Sequence, residues 1–168
     1  MLTCIIRAIS WVESEHGHGS GSSAASDPMQ VGNPNDVAWQ NIGINPSTAP
    51  NQRPIRQGSL QGYSWAQIPS VVKPLVSSLP YSIDPTFLPS DGHNDPGFTK
   101  EMSYFWGIIW YFYSLQVATS LGAWALGNCD PTNLINGAIQ YNGGGDPNYG
   151  QKIKDALKMV CCSSYFNL

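Results

Sequence analysis

The sequence predicts a mainly α fold, α+β at most, and three observations predict it. Apolar residues recur at helical spacing near the start (Leu2, Ile5, Ile6, Ile9) and near the end (Ile153, Ala156, Leu157, Val160). The stretch from Ser103 to Leu126 holds no charged residue, the pattern of a helix buried on all sides at the centre of an α domain. Helix starts and stops are written locally, as in Asp130-Pro131 and Gly143-Gly144-Gly145. A chain of 168 residues is expected to form one domain, 1–168, with a real core.

The first helix ends with information about chemistry. Glu13 lies four residues past Ile9 and seven past Ile6, so it sits at the C-terminal end of the apolar stripe. Loss of water there raises a carboxyl pKa, and an acid that keeps its proton near neutral pH suits general acid catalysis. The plainer reading is a helix-end carboxylate turned to solvent. Gly17, Gly19 and Gly21 stop the helix. The chain then returns as Asp27-Pro28-Met29-Gln30-Val31, with a second carboxylate and an amide. Asp-Pro is also a common turn starter, and taken alone Asp27 reads as a turn residue. Glu15 is the other nearby carboxylate; on a continuing helix it points to a different face from Glu13.

Asn35 to Trp39 forms a short helical turn at most. Residues 43–100 are rich in proline and leave room for little helix, the best candidate being 64–79, interrupted at Pro69 and Pro74. A long irregular region of this kind carries function or forms a lid. Its aromatics (Trp39, Tyr63, Trp65, Tyr81, Phe87) either line a saccharide groove or cover the core. The segment from Ser90 to Pro96 fails the spacing of a calcium loop and reads as a polar turn capping the next helix. That helix opens near Thr99 and breaks near Gly122. Its uncharged run is long enough to span a bilayer. Its polar and glycine interruptions and its lack of flanking basic residues favour a buried helix instead. Asp130 caps the following helix with Pro131 at its first position, and Tyr141 and Asn142 close it. The last helix runs from about Tyr149 to Cys162.

Composition narrows the partners. Charged residues make up 11% of the chain, against about 25% in typical domains, and neutral amides, serine and glycine take their place. Such a surface suits neutral sugars. A net charge of −3 argues against nucleic acid or an anionic membrane as partner. Cys4, Cys129, Cys161 and Cys162 show no C-x-x-C spacing, so no metal or other cofactor is expected. They read as buried free thiols, or as one bridge from Cys4 or Cys129 to the C-terminal pair if the protein works in an oxidising compartment. Residues 1–12 are helical in pattern and lead straight to Glu13, which reads as a domain cut from a longer chain rather than a signal peptide.

Three short motifs occur in a telling order: Trp11-Val12-Glu13-Ser14, then Met29-Gln30-Val31, then Ala138 to Gly144 with Tyr141-Asn142-Gly143 inside it. Together they resemble the lysozyme-like superfamily, in particular soluble lytic transglycosylases and goose-type lysozymes. Gly107-Ile108 resembles the glycine-led helix placed between them. The match spans most of the chain but is concentrated at its two ends. One departure is Asp27, which stands where a small residue is usual and resembles the muramidase domains of type VI secretion effectors.

The resemblance implies a lysozyme-like helical domain that cleaves the MurNAc-GlcNAc β-1,4 bond of peptidoglycan as a secreted antibacterial effector, with Glu13 as acid. Asp27 is expected to activate water or steady the oxocarbenium-like transition state. Gln30, Tyr141 and Asn142 are expected to hold N-acetyl groups and hydroxyls across a groove from Glu13. The partners implied are the glycan strand and an immunity protein over the groove, with action in the target-cell periplasm and no stable membrane insertion. Other readings differ in class: a lytic transglycosylase, a chitinase or chitosanase, or a silent glycan-binding module.

Overall fold

The first helix, α1 (Leu2–Ser14), forms on its apolar stripe and buries Cys4, Ile5, Ala8 and Ile9. The computed structural model describes residues 2–36, 38–39, 91–119, 130–159 and 166. Among the described residues three further α-helices follow: α2 (Lys100–Thr119), α3 (Pro131–Tyr141) and α4 (Tyr149–Met159). Of the described residues 66% are helical and none lies in a strand, so the fold is mainly α.

α2 is the centre of the core. Phe105, Trp106, Ile108, Ile109, Trp110, Tyr111, Phe112 and Leu115 are all buried, so the helix is covered around nearly its whole circumference. Trp106 Nε1 is buried without a hydrogen-bond partner among the described residues, whereas two hydroxyls of the helix are satisfied inside. Ser114 Oγ donates to the Trp110 carbonyl at 2.9 Å, and Tyr111 donates to the Leu134 carbonyl at 3.1 Å. No helix among the described residues is long and apolar enough to cross a membrane.

α3 packs on α2, and α1 packs on α4. α3 starts where the sequence places it: the Asp130 side chain accepts from Asn133 N at 2.8 Å, with Pro131 opening the helix. α4 turns Tyr149, Ile153, Ala156 and Leu157 inward, positions at helical spacing. Leu134, Ile135, Ala138 and Tyr141 of α3 complete the same cluster.

The loop of residues 27–34 lies on α2. Gly107 makes this approach possible, because a Cβ there would sit 2.6 Å from Met29 Cβ. The turn at Gly92–Asn94 docks on the same loop: the His93 amide donates to the Gly32 carbonyl at 2.8 Å. It therefore ties two segments together, whereas Thr99 caps α2 by accepting from Met102 N at 3.3 Å. Trp39 is buried, 5.6 Å edge-on to Phe98, so this aromatic covers the core.

Cys4 is disulfide-bonded, which overturns the expectation of free thiols for this residue. Cys129, Cys161, Cys162, the helix expected over 64–79, the aromatics Tyr63, Trp65, Tyr81 and Phe87, and the break near Gly122 lie outside the described residues.

Candidate active site

Glu13 is carried to the end of α1 by the helix that buries Ile5 and Ile9. Its carboxyl is half-buried, with Oε1 accepting a 2.6 Å hydrogen bond from the Tyr149 hydroxyl at the start of α4. Burial raises its pKa from 4.5 to about 7. The Tyr149 bond and the Lys152 charge oppose that rise, and the charges of Asp27 and Asp36 add to it. Burial, first of all, also raises the Tyr149 hydroxyl well above its usual pKa, with the nearby Glu13 charge next, so the phenol stays a donor.

The backbone after Glu13 is held by Ser14. The Ser14 hydroxyl donates to the Pro28 carbonyl at 2.8 Å and accepts from Gly17 N at 2.9 Å, and its carbonyl accepts from Gly19 N at 2.7 Å. α1 thus stops at Ser14, and Glu15 and His16 turn left-handed at φ 51° and 58°. Among the described residues the only other non-glycine residue with positive φ is Gln30, at 49°. Each such residue costs about 1–3 kcal/mol and persists only where its surroundings fix it, commonly at functional sites.

Two of these three strained residues border one groove. It holds about 240 Å³ and is lined by Glu13, Glu15 and Gln30 with Gly19, Ser20, Gly21 and Ala24. Gln30 is fixed in place: its amide donates to the Asp27 carbonyl at 2.6 Å and its carbonyl accepts from Ser23 at 3.3 Å. Glu15 is exposed and faces the groove because the helix has already ended. Helical spacing therefore does not turn Glu15 away from Glu13.

Asp27 sits elsewhere. It is fully buried and both of its oxygens are taken. Oδ1 accepts from Ser103 Oγ at 2.6 Å and Val31 N at 3.1 Å. Oδ2 accepts from Gly32 N at 2.8 Å and His93 Nδ1 at 2.9 Å. A carboxylate with four donors and no exposed edge is a clamp, not a group that meets substrate or water. The expectation that Asp27 faces the groove beside Glu13 is corrected accordingly. Ser103, His93 and Asp27 also do not form a nucleophile relay. The acid stands in the middle, and the serine accepts from Met29 N at 2.9 Å.

The far wall is corrected as well. Tyr141 is buried and donates to the Met29 carbonyl at 2.7 Å. Asn142 Oδ1 accepts from Asp146 N at 2.7 Å and so fixes the glycine turn. Neither lines the Glu13 groove. The residue facing Glu13 is Tyr149, eight positions beyond Tyr141. Its signal was readable: Tyr149 stands at the N-terminal end of the α4 stripe as Glu13 stands at the C-terminal end of the α1 stripe.

No family model, curated protein or solved structure matches this chain.

Tyr149→Phe tests the electrostatic account. Removing the bond that favours the charged carboxyl raises the Glu13 pKa further. A hydrogen bond to a charged group is worth ~1.5–3 kcal/mol, so the basic limb of any Glu13-dependent activity moves up by about one to two pH units. A pH–rate profile checks this, and an unmoved limb shows that Glu13 does not set it.

Proposed function

We propose that this chain cleaves the β-1,4 bond between N-acetylmuramic acid and N-acetylglucosamine in peptidoglycan, with Glu13 as general acid. The observation that carries the reading is a carboxyl with a pKa of about 7 on the wall of an open groove. Near neutral pH it holds a transferable proton. Apart from Glu15 the rest of that wall is uncharged, made of glycine, serine, alanine, valine and one amide, a lining suited to neutral sugars. The disulfide at Cys4 supports work in an oxidising compartment such as the periplasm. Delivery as an effector, and an immunity partner covering the groove, rest on the motif resemblance.

With Asp27 sequestered, the chemistry that best fits uses one carboxylate. Glu13 gives its proton to the glycosidic oxygen as the C1–O bond breaks. The 6-hydroxyl of the same muramic acid then attacks C1, and its proton returns to Glu13. The product is a 1,6-anhydro end, the outcome of a lytic transglycosylase. A second reading is hydrolysis, favoured by Glu15 lining the same groove; in that reading Glu15 activates the water.

Mass spectrometry of products from purified sacculi separates the readings. Anhydro ends support the one-carboxylate route, and reducing ends support hydrolysis through Glu15. Intact strands that nevertheless bind would make the domain a glycan-binding module. Cleavage of chitin with sacculi untouched would redirect the reading to a chitinase.

A further inference from the structure

Three successive residues after α1 take left-handed backbone: Glu15 at φ 51°, His16 at 58° and Gly17 at 88°. Glycine adopts this shape freely and histidine more readily than most residues; glutamate has no such ease. The turn is also tight. A Cβ on Gly17 would meet the Ala24 carbonyl at 3.2 Å, and one on Gly19 the Ser14 carbonyl at 3.0 Å. This turn carries Glu15, and then Gly19 and Ser20, into the wall of the groove. An interaction with the core must outweigh its strain.

The His16 side chain makes that interaction. Its Nδ1 lies 3.1 Å from the hydroxyl of Ser10, six residues back along the chain. That hydroxyl lies 2.8 Å from the Tyr104 hydroxyl on α2. Ser10 has no exposed surface, so it is an anchor and not a nucleophile open to substrate. The ring also meets Trp11 edge-on at 5.5 Å. Burial first, then the charges of Arg7 and His18, lower the His16 pKa. Near neutral pH the ring is therefore uncharged and lies against Trp11 with no charge to solvate.

We propose that His16 is a positioning residue: seated on the Ser10 hydroxyl, it holds the left-handed turn that keeps Glu15 in the groove wall. The effect on turnover rests on the glycan-cleavage reading; the effect on the turn does not.

The amides of Gly17 and Gly19 report the turn, because they donate to the Ser14 hydroxyl and the Ser14 carbonyl. Ser10→Ala removes the anchor and leaves the ring. Hydrogen exchange followed by NMR on the full chain is expected to show both amides losing protection at least about tenfold, as the strain of one left-handed residue is released. The amides of α3 keep theirs. His16→Asn is expected to match wild type, since asparagine tolerates the left-handed shape and its amide reaches the place of Nδ1. In His16→Gly protein, Ser10→Ala is expected to change nothing further. On glycan strands Ser10→Ala is expected to lower kcat/KM at least about tenfold, the result of a misplaced wall. The basic limb of the pH–rate profile stays where it is, because the Tyr149 bond to Glu13 is untouched. Unchanged protection in Ser10→Ala, or an equal loss from it in the His16→Gly background, overturns the inference. A moved basic limb also overturns it, by showing that the anchor acts on Glu13 instead. If wild type cuts no strand, the cleavage reading fails, and protection alone decides the role of His16.

Discussion

Glu13→Gln is expected to lower glycan cleavage at least about a hundredfold, because general acid catalysis contributes about 10²–10⁴, and to stabilise the protein at neutral pH and above. Glutamine keeps the size of Glu13 and can still accept from Tyr149, so the fold survives. The stability gain follows from the titration. The folded carboxyl, at about 7, holds its proton more tightly than the unfolded one at 4.5. The folded state therefore loses stability as pH rises from about 4.5 to about 7, with no further loss above that. The loss amounts to about 2–3 kcal/mol for this half-buried group. Thermal melts at a series of pH values will show the variant and wild type diverging across that window. In cells, wild-type protein sent to the periplasm is expected to lyse its host and the variant is not. A folded Glu13→Gln protein with wild-type turnover would remove Glu13 from the chemistry.

Asp27→Ala is expected to cost about 3–5 kcal/mol, much of the stability of a domain this size. The substitution leaves Ser103, His93 and the amides of Val31 and Gly32 without their shared acceptor. It also frees the loop that presents Gln30. Urea denaturation measures the loss directly. The contrast with Glu13 is the diagnostic: Glu13→Gln is expected to lower activity and add stability, whereas Asp27→Ala is expected to lose stability. An Asp27→Ala protein of wild-type stability that has lost only activity would return Asp27 to the mechanism.

The difference between these residues also shows where sequence reading succeeds. The stripe of Leu2, Ile5 and Ile9 predicts α1 and predicts that Glu13 loses water, since both depend on spacing within three turns. Asp130-Pro131 and the α4 stripe are local in the same sense. Asp27 is different. Its local signal is an Asp-Pro turn, and the partners that decide its role lie 66 and 76 residues away, at His93 and Ser103. Glu15 fails for a related reason. Its side is set by where α1 stops, and that is fixed by Ser14 reaching the Pro28 carbonyl, a contact no helical period encodes. Tyr141 and Asn142 occupy a helix end as expected, yet their polar atoms serve the Met29 carbonyl and the glycine turn.

The clamp around Asp27 has a topological consequence. The described segments that end at Trp39 and begin at Asp91 are fastened to each other. The His93 amide meets the Gly32 carbonyl, and Trp39 meets Phe98. A Cβ on Gly92 would fall against the Gly32 carbonyl, so little room is left between them. Whatever length of chain joins these points starts and finishes at one seam, and the entropy of closing it grows only slowly with length.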